Sequence, residues 1–357
     1  MKNFGEIILR LNMIRRIHAE RYMLMALISF SASISLTRLF LNATGYPQIG
    51  GGELHIAHVL WGGLMLFIAV LLVIILANRR IYTFSAVLGG AGMGLFIDEI
   101  GKFITKDNNY FFPAAAPIIY LFFLLIVLIF IQTRRPPQPN PGANLVRALD
   151  LIQDMVERPL TNREQKVLQS QLASVVQTAQ NRLQTDLAQT ILNMVDEDDR
   201  PKASDVHSQW HDLLDKLDDW LAPERTRWML VVGLSGLGLL TWKNPASILL
   251  AGHVTHSIEF VLNFHFGNEI MPPVTSLLFQ ARLFIETIVG CFLFSSAVLL
   301  LLRKPIGITL GLTGLLLGLT MLNVLLFYFE QFSTTLVVCF EFFLLIGLAY
   351  FREGKRN

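Results

Sequence analysis

The sequence predicts an all-α, polytopic membrane protein with about eight transmembrane helices. Hydrophobic residues make up 53% of the 357 residues, and the mean hydropathy is +0.51. Only 16% of the residues are charged, whereas about 25% is usual in soluble domains. The apolar residues are gathered in segments of about 20, the helix length that crosses ~30 Å of hydrocarbon. The net charge is only +2 and no basic stripe is present, so we expect no nucleic-acid partner.

Eight apolar segments have the length and composition of transmembrane helices. They are residues 22–41, 56–77, 82–104, 114–132, 228–242, 277–302, 306–329 and 332–351. Lysine and arginine collect on the cytoplasmic side of short loops. Eight spans place the basic pairs Arg79-Arg80, Arg134-Arg135 and Arg303-Lys304 on one side. We therefore predict a multi-pass protein of the inner (plasma) membrane with its N- and C-termini in the cytoplasm.

A ninth apolar segment, residues 245–266, is predicted to be a re-entrant or interfacial helix on the outer side. If it crossed the membrane, the pair Arg303-Lys304 and the basic C-terminal tail would face outward, against the charge rule. Asn244 and Pro245 suit the start of this helix, as an N-cap followed by proline at the first helical position.

Charge and helical spacing divide the rest of the chain. Residues 1–21 are predicted to form an amphipathic surface helix, because their arginines lie among helically spaced isoleucines. Residues 22–135 and 225–357 are predicted as two membrane units, separated by a cytoplasmic helical insert at residues 136–224. The insert is acidic, since 14 acidic and 8 basic residues lie between 136 and 222.

The insert is predicted to fold as a small helical bundle. Its helical patterns lie near residues 143–157, 162–195 and 203–221. It carries no catalytic constellation, so regulation, dimerisation or docking is the expected role. Residues 143–221 are therefore expected to bind a cytoplasmic protein partner, and the chain is a candidate homo-oligomer.

The two membrane units are candidates for a 4+4 parallel repeat. A shift of 228 residues aligns Gly62 with Gly290, and a shift of 224 aligns Gly90 with Gly314 and Gly94 with Gly318. Units with an even number of spans keep the same orientation, which is the parallel arrangement. Chance matching of leucine-rich segments is the alternative.

Ionisable residues within apolar segments are costly and are candidate functional residues. Asp98 lies 16 residues beyond Tyr82, roughly 24 Å along a helix and close to the outer boundary. Glu286 reaches a similar depth on its own span. His55 and His58 begin the second span, so we expect these side chains to share one outer level.

This group predicts a metal-dependent site. His55 and His58 share a helix face, and imidazole with the carboxylate of Asp98 suits Zn²⁺ or another divalent metal. The carboxylates at one outer level are the catalytic candidates, since a spare carboxylate can act as general base toward a metal-bound water; these are Asp98, Glu99 and Glu286. Two residues of the outer helix are further metal ligands or parts of a lid, His253 and His256.

Two other interpretations of these residues stand beside the metal site. In a structural polar network, Asp98 pairs with Lys102 four residues later, and Arg38 neutralises Glu99. In an ion or proton pathway, Glu341 is the key residue because it lies nearer the middle of the membrane.

One pattern resembles a known group of proteins. Glu53-Leu54-His55-Ile56-Ala57-His58, followed by a glycine-rich run from Gly89 to Asp98-Glu99, is similar to uncharacterised bacterial integral membrane proteins. Those pair a histidine-rich helix start with a glycine-rich helix ending in Asp-Glu. The resemblance covers about the first third of the chain and implies a bacterial multi-pass membrane protein but no activity. Ala57 stands where a further histidine is common.

Three functions follow from these observations. The first is a metal-dependent enzyme, for example a hydrolase, that acts on a lipid or another membrane-embedded substrate at the outer leaflet. The second is an ion- or proton-coupled transporter. The third is a non-catalytic scaffold whose insert recruits a partner, and in every case membrane lipids surround the chain.

Overall fold

The computed structural model describes residues 14–45, 57–134, 140–179, 181–196, 223–250 and 277–354. Every regular element within these ranges is a helix, which confirms the all-α class. Six helical segments there are long and apolar enough to cross a membrane: Ala19–Thr44, His58–Ile75, Arg79–Asp98, Ala115–Arg134, Leu277–Leu301 and Ile306–Arg352. The chain is therefore a multi-pass membrane protein by the length and composition of its helices.

The membrane helices are numbered in chain order. The first four are α1 (Ala19–Thr44), α2 (His58–Ile75), α3 (Arg79–Asp98) with the short α4 (Ile100–Ile104), and α5 (Ala115–Arg134). The insert contributes α6 (Pro141–Glu157), α7 (Asn162–Thr178) and α8 (Arg182–Asp196). The later helices are α9 (Pro223–Thr241), α10 (Lys243–Leu250), α11 (Leu277–Leu301), α12 (Ile306–Leu317), α13 (Asn323–Glu330) and α14 (Thr335–Gly354).

The last membrane segment is a hairpin rather than one long helix. A π-helical turn, Gly318–Leu322, joins α12 to α13, and a 3-10 turn, Gln331–Thr334, joins α13 to α14. Gln331 takes a positive φ of 51°, which reverses the chain. A Cβ placed on Gly311 would touch Leu348, and one on Gly318 would touch Glu341, so the two arms are antiparallel. The 47-residue segment thus supplies two membrane-length arms.

The fifth predicted span appears as α9. It is 19 residues long, but Glu224, Arg225 and Arg227 lie in its first turns. These charges exclude α9 from the six apolar segments, although it packs its leucines against α11. With α9 and the two arms of the hairpin, eight helices match the eight predicted positions, while their topology in a membrane stays a prediction.

The chain divides into two compact units. The first unit contains, among the described residues, 14–36, 60–95, 125–134, 140–179 and 181–196. In it α1 and α3 approach closely along the glycine-rich run of α3. A Cβ on Gly90 would lie 2.8 Å from Ala26 Cα, and one on Gly94 would lie 2.7 Å from the Phe30 carbonyl oxygen. Only glycine permits this contact between the two helices.

The insert helices of the first unit form a bundle with its own core. Asn140 caps α6 by accepting a hydrogen bond from the Ala143 amide, and Thr161 and Glu164 form a capping box on α7. The helix predicted over 162–195 is interrupted, because Ala179 is extended and α8 starts afresh at Arg182. The fully buried core side chains are Leu151, Leu168, Leu172, Val175 and Ala188. The predicted helix at 203–221 lies outside the described residues.

The insert is docked against the loop between α2 and α3. Arg79 at the start of α3 pairs with Asp154 of α6 and with Glu164 of α7, the latter at 2.8 Å. Gln153 donates a hydrogen bond to the Ala77 carbonyl oxygen at 2.9 Å. The acidic insert therefore neutralises a basic loop of its own membrane unit.

The N-terminal segment turns just before α1. Residues 1–13 of the predicted surface helix lie outside the described residues, and residues 14–18 are not helical. His18 has a φ of +59°, and α1 begins at Ala19, three residues before the predicted start. Ile17 packs against the core of the insert.

The second unit contains, among the described residues, 37–45, 57–59, 96–124, 223–250 and 277–354. Its core joins α9, α11, α12 and α14 through buried aliphatic side chains: Leu230, Leu234, Leu237, Leu293, Leu315 and Leu348. A smaller cluster packs Tyr120 of α5 on Leu319 and Phe327 of the hairpin. All the candidate site residues that the structure describes lie in this second unit.

Candidate functional site

Asp98 is the centre of a buried polar network. It ends α3 and is 0% exposed. Arg38 Nε donates to its Oδ1 at 2.6 Å, Tyr110 Oη–H donates to Oδ2 at 2.6 Å, and His58 Nε2 lies 3.1 Å from Oδ2. The predicted association of His58 with Asp98 is thus present as a hydrogen bond.

Glu99 forms the second half of this network. Lys102 Nζ donates to Oε1 at 2.6 Å, and the Val59 amide donates to Oε2 at 3.1 Å. His58 Nδ1 lies 3.4 Å from Oε1, so the imidazole stands between the two carboxylates. The Val59 amide belongs to the first turn of α2, where backbone amides lack partners within the helix.

The backbone around Glu99 explains this arrangement. Glu99 has φ −90° and ψ 9° and breaks the helix between α3 and α4. The break turns Lys102 toward Glu99, so the expected pairing of Asp98 with Lys102 is wrong. Arg38 likewise pairs with Asp98 and not with Glu99. The following loop brings Tyr110 back over the site, where the Arg38 guanidinium stacks on its ring at 4.1 Å.

The described residues of this network are balanced in charge. Two carboxylates face one guanidinium and one ammonium, and Phe332 covers the other side of Arg38 at 4.2 Å. Three donors already occupy the Asp98 carboxylate, so a metal ion would need to displace one of them. Within the described ranges, no group of three or more His, Cys, Asp and Glu side chains is arranged to hold a metal ion. Three predicted ligands lie outside those ranges, His55, His253 and His256, so the metal site stays a prediction.

Glu286 belongs to another cluster. Its Oε1 accepts from Arg282 Nε at 2.8 Å and from Asn244 Nδ2 at 3.1 Å. Arg282 Nη2 also pairs with Glu330, at the end of α13. No hydrogen bond or ion pair among the described residues joins Glu286 to Asp98 or Glu99, so the structure does not place these three carboxylates in one site.

Glu341 lies in a third polar site, within the final hairpin. Its side chain is 1% exposed and accepts a hydrogen bond from Asn323 Nδ2, and Asn323 is 0% exposed. A Cβ on Gly318 would lie 3.2 Å from Glu341 Oε1, so the glycine leaves room for the carboxyl group. Asn323 was not predicted as the partner of Glu341. The available signal was an amide in an apolar run opposite a carboxylate.

The backbone at this third site is irregular. The π-helical turn Gly318–Leu322 lies directly before Asn323, and such turns are frequent at functional sites. Tyr120 Oη–H donates to the Leu319 carbonyl oxygen of this turn at 2.6 Å. Among the described residues, no Lys, Arg or His side chain forms an ion pair with Glu341, which distinguishes it from Asp98, Glu99 and Glu286.

The chain matches no protein-family model, no curated protein and no solved structure. The resemblance to uncharacterised bacterial membrane proteins therefore stays a prediction, and function is argued from the sites alone.

Proposed function

We propose that this multi-pass membrane protein is a proton-coupled transporter in which Glu341 carries the proton. One observation supports the proposal most: Glu341 is fully buried in a membrane arm and no described cation pairs with it. An ionisable residue in that position is rare in membrane segments and marks a transport or proton pathway by default.

The hydrogen-bonding groups of Glu341 and Asn323 favour the protonated, neutral form of Glu341. Removing an unpaired charge from water costs several kcal/mol, and Asn323 offers only an amide. Asn323 Oδ1 is buried, and no described residue donates a hydrogen bond to it. A protonated carboxyl group has one donor and one acceptor, which is the complement of a primary amide. Protonation of Glu341 therefore supplies the donor that Asn323 lacks, and loss of the proton removes it.

The surrounding backbone can respond to that change. Gly318 and Gly311 allow α12 and α14 to lie close together. The π-helical turn places one extra residue in the backbone hydrogen-bond pattern of the helix beside Glu341. Closely packed helices with a local irregularity have discrete alternative packings. Gain or loss of the proton at Glu341 then changes the contact between the two arms.

The first test is proton movement in proteoliposomes that contain a pH-sensitive dye, under an imposed membrane potential and with gradients of small cations. We expect internal pH to change faster than in protein-free vesicles, and Glu341→Gln to abolish the difference. Asp107→Asn, in an exposed loop, is the matched control and should behave as wild type. Equal rates for wild type and Glu341→Gln under every gradient would refute the proposal.

A second readout addresses the carboxyl group directly. Infrared difference spectra between acid and alkaline pH should contain a protonated-carboxyl band that Glu341→Gln removes. Asn323→Leu removes the amide partner and should shift the same band. An unchanged spectrum in Glu341→Gln would show that the carboxyl group does not exchange its proton.

A metal-dependent hydrolase acting on a lipid is the second candidate, because His58 contacts both predicted carboxylates. The predicted ligands His58 and Asp98 would hold the ion together with predicted ligands outside the described residues, after a present donor of Asp98 is displaced, and a bound metal would supply Lewis acidity and an activated water. Elemental analysis of the purified wild type and His58→Ala tests this candidate. Stoichiometric metal in the wild type and none in the variant would support it, and no metal after loading would refute it.

The same proposal includes a plasma-membrane location with both termini and the insert in the cytoplasm. The docking of the acidic insert on Arg79 supports it, because the insert and this basic loop must then share one side. Reporter fusions at the C-terminus and within the insert should both report the cytoplasm. A reporter on the opposite side would contradict the topology.

A further inference from the structure

The cluster around Glu286 has more negative than positive charge. It contains the guanidinium of Arg282 and the carboxylates of Glu286 and Glu330, with the amide of Asn244 beside them. Arg282 and Glu286 are buried, whereas Glu330 is 31% exposed. One guanidinium cannot balance two carboxylates, so the described residues of the cluster carry a surplus of one negative charge when both carboxylates are ionised.

One acceptor in this cluster is unused. Glu286 is 3% exposed, and its Oε2 is buried with no hydrogen-bond donor among the described residues. Two described donors, Arg282 Nε and Asn244 Nδ2, bind the other oxygen of this carboxylate. A buried acceptor left without a donor costs about 1–3 kcal/mol. The surplus charge and the free oxygen are independent observations, and both point to a cation that carries an N–H or O–H donor.

Aromatic side chains lie next to the cluster. The Arg282 guanidinium is 5.5 Å from the ring centroid of Phe329. Trp242 donates its Nε1–H to the Thr287 carbonyl oxygen at 3.2 Å and stacks on Phe294. Aromatic faces attract cations that lie within about 6 Å of the ring centroid.

We infer that this cluster binds a small primary ammonium ion, with Glu286 Oε2 accepting its N–H and Glu330 completing the charge balance. This inference rests on the proposed transporter function, for which the ammonium compound would be the cargo. An ammonium ion brings three donors and one positive charge, which matches the free acceptor and the surplus charge. A metal cation would bring the charge but no donor.

The cluster around Glu286 and the Glu341–Asn323 pair lie at a similar height along their helices. Cβ atoms on Gly311 and Gly314 of α12 would touch Ser296 and Leu293 of α11, so these helices are antiparallel. Continuing this register one turn places Gly318, the neighbour of Glu341, level with the residues just after Glu286. Glu341 and Glu286 therefore lie at similar depth on neighbouring helices, which suits the exchange of a proton at one for a cation at the other.

Equilibrium binding of ethylammonium to the detergent-purified protein tests the inference. Isothermal titration should give binding to the wild type, whereas Glu286→Gln should lower the affinity about tenfold to a hundredfold, the loss expected for one hydrogen bond to a charged group. Glu330→Gln, which alters a more exposed residue, should weaken binding without affecting folding. Asp107→Asn should leave binding unchanged.

Two further ligands identify what the cluster recognises. Tetramethylammonium has the charge without N–H donors, and sodium has neither donors nor an organic group. We expect both to bind at least about tenfold more weakly than ethylammonium, because neither donates to Glu286 Oε2. Equal binding of the three cations, or equal binding of ethylammonium by wild type and both glutamine variants, would overturn the inference.

The outcomes separate this inference from the transporter proposal. Glu341→Gln should keep ethylammonium binding while it loses proton movement. Binding without any proton movement in the wild type would reject the transporter and retain the ammonium site. Proton movement without ethylammonium binding would retain the transporter and reject the ammonium site.

Discussion

Replacement of Asp98 by asparagine tests whether the network at the end of α3 is structural. The Asp98 carboxylate accepts from three donors within 3.1 Å, and the Arg38 side chain is only 12% exposed. Asparagine keeps the shape but has one acceptor oxygen and no charge. The Arg38 guanidinium would then remain largely buried without its counter-charge.

The expected cost is about 3–5 kcal/mol, the usual penalty for breaking a buried ion pair by removing one partner. A count of hydrogen bonds gives a similar figure. The amide oxygen of the substituted side chain can still accept from one donor, so about two charge-assisted hydrogen bonds are lost, at about 1.5–3 kcal/mol each. The two estimates describe the same loss and are not added.

Unfolding of the purified protein in mixed micelles with increasing SDS would measure this cost. The double variant Arg38→Gln/Asp98→Asn should be more stable than the sum of the single variants predicts, with a coupling of at least about 1.5 kcal/mol. Asp107→Asn, exposed in the loop after α4, should lie within about 0.5 kcal/mol of wild type. A loss below about 1 kcal/mol for Asp98→Asn, or strict additivity in the double variant, would refute the assignment of this network as a structural ion-pair system.

Three other predictions concern the first unit. Gly94→Val should separate α1 from α3 and lower the thermal unfolding temperature, because even a Cβ would lie 2.7 Å from the Phe30 carbonyl oxygen; Gly63→Val, whose Cβ would meet nothing within 4 Å, should change it little. Burial opposes ionisation of Glu164, but hydrogen bonds from Arg158, Arg79 and the Thr161 backbone outweigh it and hold the pKa of Glu164 far below its ordinary value. Its stabilisation of the docked insert is therefore fully present above about pH 4.5 and is lost as the pH falls further; thermal unfolding between about pH 3 and 7 should show this loss, and Glu164→Gln should remove it. Burial, helped by the positive charge of Arg79, lowers the pKa of His18 although Glu20 and Glu164 oppose the shift. The first unit should therefore lose stability as the pH falls below about 6.5. His18→Asn should flatten this part of the profile of stability against pH. A profile that His18→Asn leaves unchanged would contradict that assignment.

The sequence predicted the helices better than their partners. Apolar segments of about 20 residues locate the membrane helices, because the thickness of the hydrocarbon layer fixes the helix length. Partners depend on local backbone geometry that periodicity does not encode. Lys102 was expected to pair with Asp98, four residues earlier on one helix, but the break at Glu99 turns it to Glu99. The 162–195 pattern likewise continues through a break at Ala179 that apolar spacing does not reveal.

Contacts across helices were the least predictable part of the site. Glu341 was identified from its depth alone, whereas its partner Asn323 lies on the other arm of a hairpin, 18 residues away in the chain. Glu286 was expected beside Asp98 because both lie at a similar depth. Depth fixes one coordinate of a side chain and leaves its position around the helix bundle open, and Glu286 in fact contacts Arg282 and Asn244.

Hydrogen-bond state distinguishes the three polar sites that the second unit builds around Asp98, Glu286 and Glu341. Asp98 and Glu99 have donors on both oxygens, and their charges are balanced by Arg38 and Lys102. Such a network has little to gain from a ligand, since every new contact displaces an existing one. Glu286 Oε2 and Asn323 Oδ1 are buried acceptors that receive no donor from the part of the chain described here, and native proteins rarely leave such groups unsatisfied. Binding of a proton or an ammonium ion at these two positions would supply the missing donors, which is the reason that we propose a functional role for them and a stabilising role for Asp98.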